Sequence, residues 1–214
     1  VRVLVCGRGS SLEHIENINL KKEFDYVFLV NEFNTFVREN EKLANFLKNK
    51  TLIQQVNICQ TGVDEYLLEN FNVEKVYISR LEPNGSHEWW RQGRISAAIK
   101  SHNVESGYQS DELEPYMNIV ENSSDIAILN AIINYGATEV YTIGIDFYES
   151  QYFLGMNEYD FDECSTETVK NKIKSSHTKI ISEFQNVNFT YLTAANFTPP
   201  YPNFKLVRAG GQSE

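Results

Sequence analysis

Four apolar runs of this 214-residue chain end in residues that can do chemistry. VRVLVC is followed by Gly7-Arg8-Gly9-Ser10-Ser11, DYVFLV by Asn31-Glu32, TLIQQV by Asn57, and EVYTIGI by Asp146-Phe147-Tyr148. Glycines let a backbone approach a ligand closely, and free amides at the start of a helix attract negative charge. GRGSSL therefore reads either as an anion-binding turn or as a serine-capped turn that holds no ligand. The third glycine of G-x-G-x-x-G is absent, so the dinucleotide fingerprint does not apply.

The elements that must position these residues alternate along the chain. Strands are expected at Val1–Cys6, Asp25–Val30, Thr51–Val56, Lys75–Arg80, Glu139–Ile145 and Asn188–Leu192, with helical periodicity at Leu12–Leu20, Phe33–Leu47, Val63–Phe71, Trp89–Ile99, Ile126–Tyr135 and Val169–Phe184. Near-continuous apolar strands between helices predict an α/β fold: a Rossmann-like, mostly parallel sheet with helices on both faces. In such a sheet ligands bind beyond the carboxyl ends of the strands, where all four polar clusters fall. Residues 81–118 and 148–176 lack a clear period and read as insertions near a site, and the tail from Thr198 reads as extended and ending in disorder.

Composition narrows the partners. Hydrophobic residues make up 42% of the chain, enough for one substantial core, and no apolar run approaches the roughly 20 residues that span a bilayer. The net charge of −10, with no long Lys/Arg run, argues against nucleic acid as a partner. Cys6, Cys59 and Cys164 are scattered and form no C-x-x-C pair, so neither a disulfide framework nor a zinc site is indicated, and a reducing cytoplasm fits best.

VRVLVCGRGSSL at the start, FLVNEF at 28–33, SSDIAILNAIINYGATEVYTIGIDFY at 123–148 and SSHTK at 175–179 together resemble the bacterial sialyltransferases of glycosyltransferase family 42, which use CMP-sialic acid. GIDFY after an Ala/Gly-bearing helix is the most specific element. The resemblance implies a GT-A-like variant of the parallel fold, with residues 1–147 and 177–197 as the nucleotide-sugar-binding domain, 148–176 as a small lid and 198–214 as a tail. It implies a CMP-sugar donor as substrate and no separate cofactor or metal. It also implies a glycan acceptor such as a lipooligosaccharide, and leaves room for peripheral membrane contact and a homo-oligomer.

Carried over by position, Gly7, Arg8, Gly9, Ser11, Asn31, Glu32, Asn57 and Ser124 would line the CMP-sugar pocket. Tyr148, with Tyr152 beside it, would hydrogen-bond the departing phosphate, and His177 would be the general base. The chemistry is coherent: charge grows on the leaving phosphate, and hydroxyl donors aimed at it lower the barrier. A nucleoside monophosphate needs less neutralisation than a diphosphate, so a metal is not demanded. Asp160-Phe161-Asp162 spells D-x-D, but it sits within the lid segment and is not read as a metal motif. The chain departs from the family at Arg8 (asparagine there), Glu32 (glutamine), Glu121 (arginine) and Asp125 (glycine). Acids near an anionic sugar would repel it unless they point away or bind hydroxyls.

His177 has two readings. Val169, Ile173, His177, Ile180 and Phe184 share one helical stripe, which would put the imidazole on the core face of a single long helix. A helix starting instead at Ser175 or Ser176 would put it in the first turn, at the mouth of the site, where its ordinary pKa of about 6.5 suits proton abstraction. Trp89-Trp90-Arg91-Gln92-Gly93-Arg94 would either stack on a sugar or anchor a helix to the sheet. Two other classes stay open: an ATP- and Mg²⁺-dependent relative of pterin diphosphokinase-like or motility-accessory proteins, and a non-catalytic glycan- or nucleotide-binding module.

Overall fold

The structure, a computed structural model, describes residues 1–16, 23–57, 65–79, 105–108, 111–150 and 165–209. Within them lie β1 (Arg2–Cys6), β2 (Tyr26–Val30), β3 (Leu52–Asn57), β4 (Val73–Ser79), β5 (Glu105–Tyr108), β6 (Glu139–Ile143), β7 (Asn188–Thr193) and β8 (Phe204–Arg208). They form one sheet in the order β5-β4-β3-β2-β1-β6-β7-β8, and each neighbouring pair is parallel. This is the Rossmann-like α/β arrangement. The chain steps outward from β1 to β5, returns to the other side of β1 with β6 and steps outward again, so the sheet reverses direction between β1 and β6.

The central strands have no wet face. In β1, Leu4 and Cys6 enter one core with Leu29, Leu52, Val56 and Phe36, while Val3 and Val5 enter the other with Ile53, Ile126, Ile180 and Phe189. Each fully buried side chain of this kind contributes about 1.5–3 kcal/mol, which is why β1 and β2 read as unbroken apolar runs.

Helices α1 (Asn34–Glu39) and α2 (Glu41–Leu47) replace the single helix expected over Phe33–Leu47. Asn40 adopts an extended backbone and its side chain accepts from the Leu43 amide, capping α2 at a break that periodicity does not register. Helix α3 spans Glu65–Asn70, and the described part of the segment expected to be helical from Leu12 begins within a 3₁₀ turn at Ser10–His14, residues 17–20 lying outside the described residues.

On the opposite face, α4 (Ser123–Ile133) begins three residues earlier than expected, because Asn122-Ser-Ser-Asp125 forms a capping box. Helix α5 (Glu167–Glu183) is one continuous helix capped by the Thr166 side chain. It settles the two readings of His177 in favour of the single long helix. It also means that residues 167–176, expected within a lid, are the first part of a helix packed on the core through Ile173.

Two strands were not anticipated. β5 is short and polar in sequence, and β8 lies in the tail, which was expected to run extended without joining the sheet. The tail is held because Asn203 donates through Nδ2 to the carbonyls of Ile181, Phe184 and Val187, and Phe204 packs on Tyr191 and Phe197. The expected helix at Trp89–Ile99, the WWRQGR stretch, Cys59, Cys164, Asp160, Asp162 and Tyr152 lie outside the described residues.

Candidate functional site

Register sets the site. Cys6 pairs with Leu29 of β2 and with Ile143 of β6, so Gly7, Val30 and Gly144 stand at one level at the carboxyl ends of the three strands. The cleft above them is lined by Gly7, Arg8 and Gly9 after β1, Val30 and Asn31 after β2, Asn122–Ser124 at the start of α4, Gly144–Tyr148 and Ser150 after β6, and Ile173 of α5. It sits at the β1/β6 reversal, where open parallel sheets bind ligands.

Of the residues expected to bind a ligand, the cleft gathers Gly7, Arg8, Gly9, Asn31, Ser124 and Tyr148. Asn57 closes β3, but its side chain is outside the description. Ser11 lies beneath the cleft, 2% exposed, with its hydroxyl accepting from the Gly144 amide. The Glu32 carboxylate is absent from the lining and accepts from the Thr35 amide instead, in the first turn of α1.

The glycines are also required by the packing of the loops themselves. Gly7 donates to the Ile143 carbonyl, Gly9 to the Gly144 carbonyl, the Ser11 amide to Asp146 Oδ2 and the Leu12 amide to the Gly9 carbonyl. These amides are not free to face an anion. What requires glycine is the crossing of two loops: a Cβ on Gly7 would meet the Gly144 carbonyl oxygen at 2.3 Å, and one on Gly9 would meet Asp146 Oδ2 at 2.4 Å. Asp146 then ties three segments together, accepting from the Ser11 amide at 2.8 Å, Ser150 Oγ at 3.3 Å and Thr193 Oγ1 at 2.6 Å.

Beyond Asp146 the backbone enters the left-handed region twice in succession, at Phe147 (φ 51°) and Tyr148 (φ 56°); Asn31 across the cleft does the same (φ 66°). Bulky side chains in this region cost roughly 1–2 kcal/mol each, and such strain concentrates at functional sites. Its local consequence is that Phe147 turns into the core against His177 and Phe197, while Tyr148 goes to the cleft wall.

His177 does not line the cleft. Its ring is 0% exposed, caged by Phe147, Tyr191 and Phe197. Nδ1 lies 2.7 Å from the Tyr191 hydroxyl; Nε2 lies 3.1 Å from Ser124 Oγ and 3.1 Å from Asp125 Oδ1. Burial lowers its pKa to about 3, so it is neutral. The geometry of a direct base is therefore missing, and among the described residues the hydrogen-bonded link from the imidazole to the cleft runs through Ser124. The arrangement is no serine-hydrolase triad either, because serine and carboxylate share one ring nitrogen instead of occupying opposite ones.

Asp125, a departure from the family pattern, turns inward. Its Oδ2 accepts from the Glu121 and Asn122 amides, and its Oδ1 from Ser176 Oγ. Burial raises its pKa to about 7, against the downward pull of these donors. It closes the capping box and is 0% exposed, so it presents no carboxylate to the cleft.

Sequence reasoning missed Asn122, Ser123 and Ser150 in the lining and Tyr191 behind His177. The N-S-S-D capping box was a legible signal for the first two; Tyr191 had none, since its pairing with His177 is purely tertiary. Among the described residues no helix is long and apolar enough to cross a membrane, and no group of three or more His, Cys, Asp or Glu is placed to hold a metal ion. Compared with known proteins, the chain matches no family model, no curated protein and no solved structure.

Proposed function

We propose that this chain is an inverting glycosyltransferase that moves an acidic sugar from a CMP donor to a glycan hydroxyl. The observation that carries the reading is the convergence of Arg8, Asn31, Ser124 and Tyr148 on one cleft at the β1/β6 reversal. Arg8 supplies a permanent cation for the single phosphate. The Tyr148 hydroxyl donates to that phosphate as the sugar–oxygen bond breaks and negative charge accumulates on it. Asn31 and Ser124 form the walls against the nucleoside and sugar hydroxyls. His177 supports Ser124 from behind and does not take the acceptor's proton itself; as the sugar–oxygen bond to CMP breaks and the bond to the acceptor oxygen forms, that proton passes to the departing CMP phosphate or to solvent.

Titration calorimetry with CMP tests the binding step, and release of CMP from CMP-N-acetylneuraminic acid in the presence of glycan acceptors tests the transfer. The expected result is saturable CMP binding that competes with the CMP-sugar, and acceptor-dependent CMP release. No heat with CMP together with no competition removes the reading.

The burial of His177 favours one second reading, a nucleotide- or glycan-binding module without turnover. CMP binding with no CMP release over the whole acceptor panel assigns the chain to that class.

A further inference from the structure

Hydrogens in the buried array behind the cleft can be placed by counting donors and acceptors. Tyr191 is 0% exposed and its hydroxyl has His177 Nδ1, at 2.7 Å, as its hydrogen-bond partner. A buried hydroxyl that fails to donate costs about 1–3 kcal/mol, so Tyr191 donates and Nδ1 accepts. The neutral imidazole must then carry its hydrogen on Nε2. The neighbours of Nε2 agree: both Asp125 Oδ1 and Ser124 Oγ lie 3.1 Å away and have lone pairs to offer. The Ser124 hydrogen has its own destination, Asn122 Oδ1 at 2.5 Å. Asn122 is held in turn by the amides of Ser124 and Asp125, at 2.8 and 3.2 Å.

Ser124 Oγ thus gives its hydrogen to Asn122, while the single Nε2 hydrogen of His177 is shared between Ser124 Oγ and Asp125 Oδ1 and takes up at most one lone pair of the serine oxygen. A hydroxyl oxygen has two lone pairs, so one remains. Ser124 is one of the residues that line the cleft.

We propose that Ser124 is a pure hydrogen-bond acceptor toward the cleft and reads a ligand hydroxyl, with Asn122, His177 and Tyr191 as positioning residues that fix its polarity. It contacts the ribose or sugar hydroxyls of a bound nucleotide or nucleotide-sugar and not its phosphate, which offers no hydrogen at neutral pH. This assignment rests on the CMP reading for the identity of the ligand, but not for the polarity of Ser124.

Two measurements test it. Nitrogen-15 NMR of the imidazole in the ligand-free protein should show His177 as the neutral tautomer with hydrogen on Nε2, and Tyr191→Phe should release that preference. An Nδ1–H tautomer in the wild type overturns the proposal whether or not CMP binds. Calorimetry then compares CMP with 2′,3′-dideoxy-CMP and with inorganic phosphate. Ser124→Ala should weaken CMP about fivefold, the size of one ordinary hydrogen bond, and leave the dideoxy analogue and phosphate unchanged. Tyr191→Phe, which lies behind the wall, should weaken CMP in the same direction. Equal weakening of all three probes by Ser124→Ala makes Ser124 a phosphate ligand and overturns the proposal. Failure of the wild type to bind CMP removes the glycosyltransferase reading, and the NMR result alone then decides the polarity.

Discussion

Gly9 lies so close to Asp146 that a Cβ on the glycine would stand 2.4 Å from the carboxylate oxygen Oδ2 and 2.8 Å from Cγ. One turn lower, Gly7 and Gly144 touch backbone to backbone. These two contacts hold the β1 and β6 loops at the spacing that creates the cleft, and they respond differently to an added methyl. Gly7→Ala sets a side chain against main chain that is itself pinned by the Gly9 amide, and should cost about 3 kcal/mol, the upper end of the overpacking range. Gly9→Ala presses on a side chain that can shift, and should cost about 1–2 kcal/mol. Urea unfolding of both variants checks the order; a larger loss at Gly9 shows that the carboxylate is the rigid partner.

Tyr148 tests the chemistry of the proposed transfer apart from the fold. Tyr148→Phe keeps the ring and removes the hydroxyl aimed at the leaving phosphate. CMP release should slow about 10²- to 10³-fold, as for the loss of one donor to developing charge, in a variant whose fold is checked by urea unfolding alongside. A rate within threefold of wild type, measured in the same assay, assigns Tyr148 a purely structural position.

The Asp125–His177 pair makes a prediction about pH. The folded pKa of Asp125, about 7 against an ordinary 3.8, gives stability that is complete below pH 3.8 and is lost as pH rises through 7. The folded pKa of His177, about 3 against 6.5, gives stability present above pH 6.5 and lost as pH falls through 3. Between about pH 4 and 6.5 the unfolded pair keeps its one proton on histidine and the folded pair keeps it on aspartate. The number of protons is the same, so the pair adds no slope there. Asp125→Asn leaves only the histidine, and its stability relative to wild type should fall by about 1.4 kcal/mol per unit as pH drops from 6.5 to 4. Urea titrations of the two proteins at several pH values give the difference directly; parallel curves would show that His177 is not held neutral by the fold.

Thr142, in the middle of β6, is 0% exposed and its Oγ1 has no hydrogen-bond partner among the described residues. Valine has the same shape without the hydroxyl. Thr142→Val should therefore raise the unfolding free energy by about 1 kcal/mol, read as a higher urea midpoint at unchanged slope. Destabilisation would reveal a partner for the hydroxyl.

The strand–helix alternation was legible because burial on both faces demands unbroken apolar runs, and β1, β2, β3, β6 and β7 fall within about two residues of where those runs lie. β8 was not legible: FKLVR is half exposed, and it is a strand because Asn203 and Phe204 pin the chain beside β7. The break between α1 and α2 escaped for the opposite reason, since the apolar period continues through Asn40 while a side-chain cap interrupts the backbone.

The sequence by itself determined the class of fold and put the loops after β1, β2 and β6 on one rim, because the strands of a parallel sheet all end at the same edge. It did not determine what those loops offer a ligand. Only the tertiary structure decided that the Gly7, Gly9 and Ser11 amides are spent on β6 and the loop after it, that Asp125 faces inward, and that His177 stands behind Ser124 instead of in the cleft. Each of these depends on which polar group finds a partner across the fold. Hydrogen-bond partners 50 to 140 residues apart leave no local pattern in a chain, whereas the hydrophobic period that builds the sheet is written into every element.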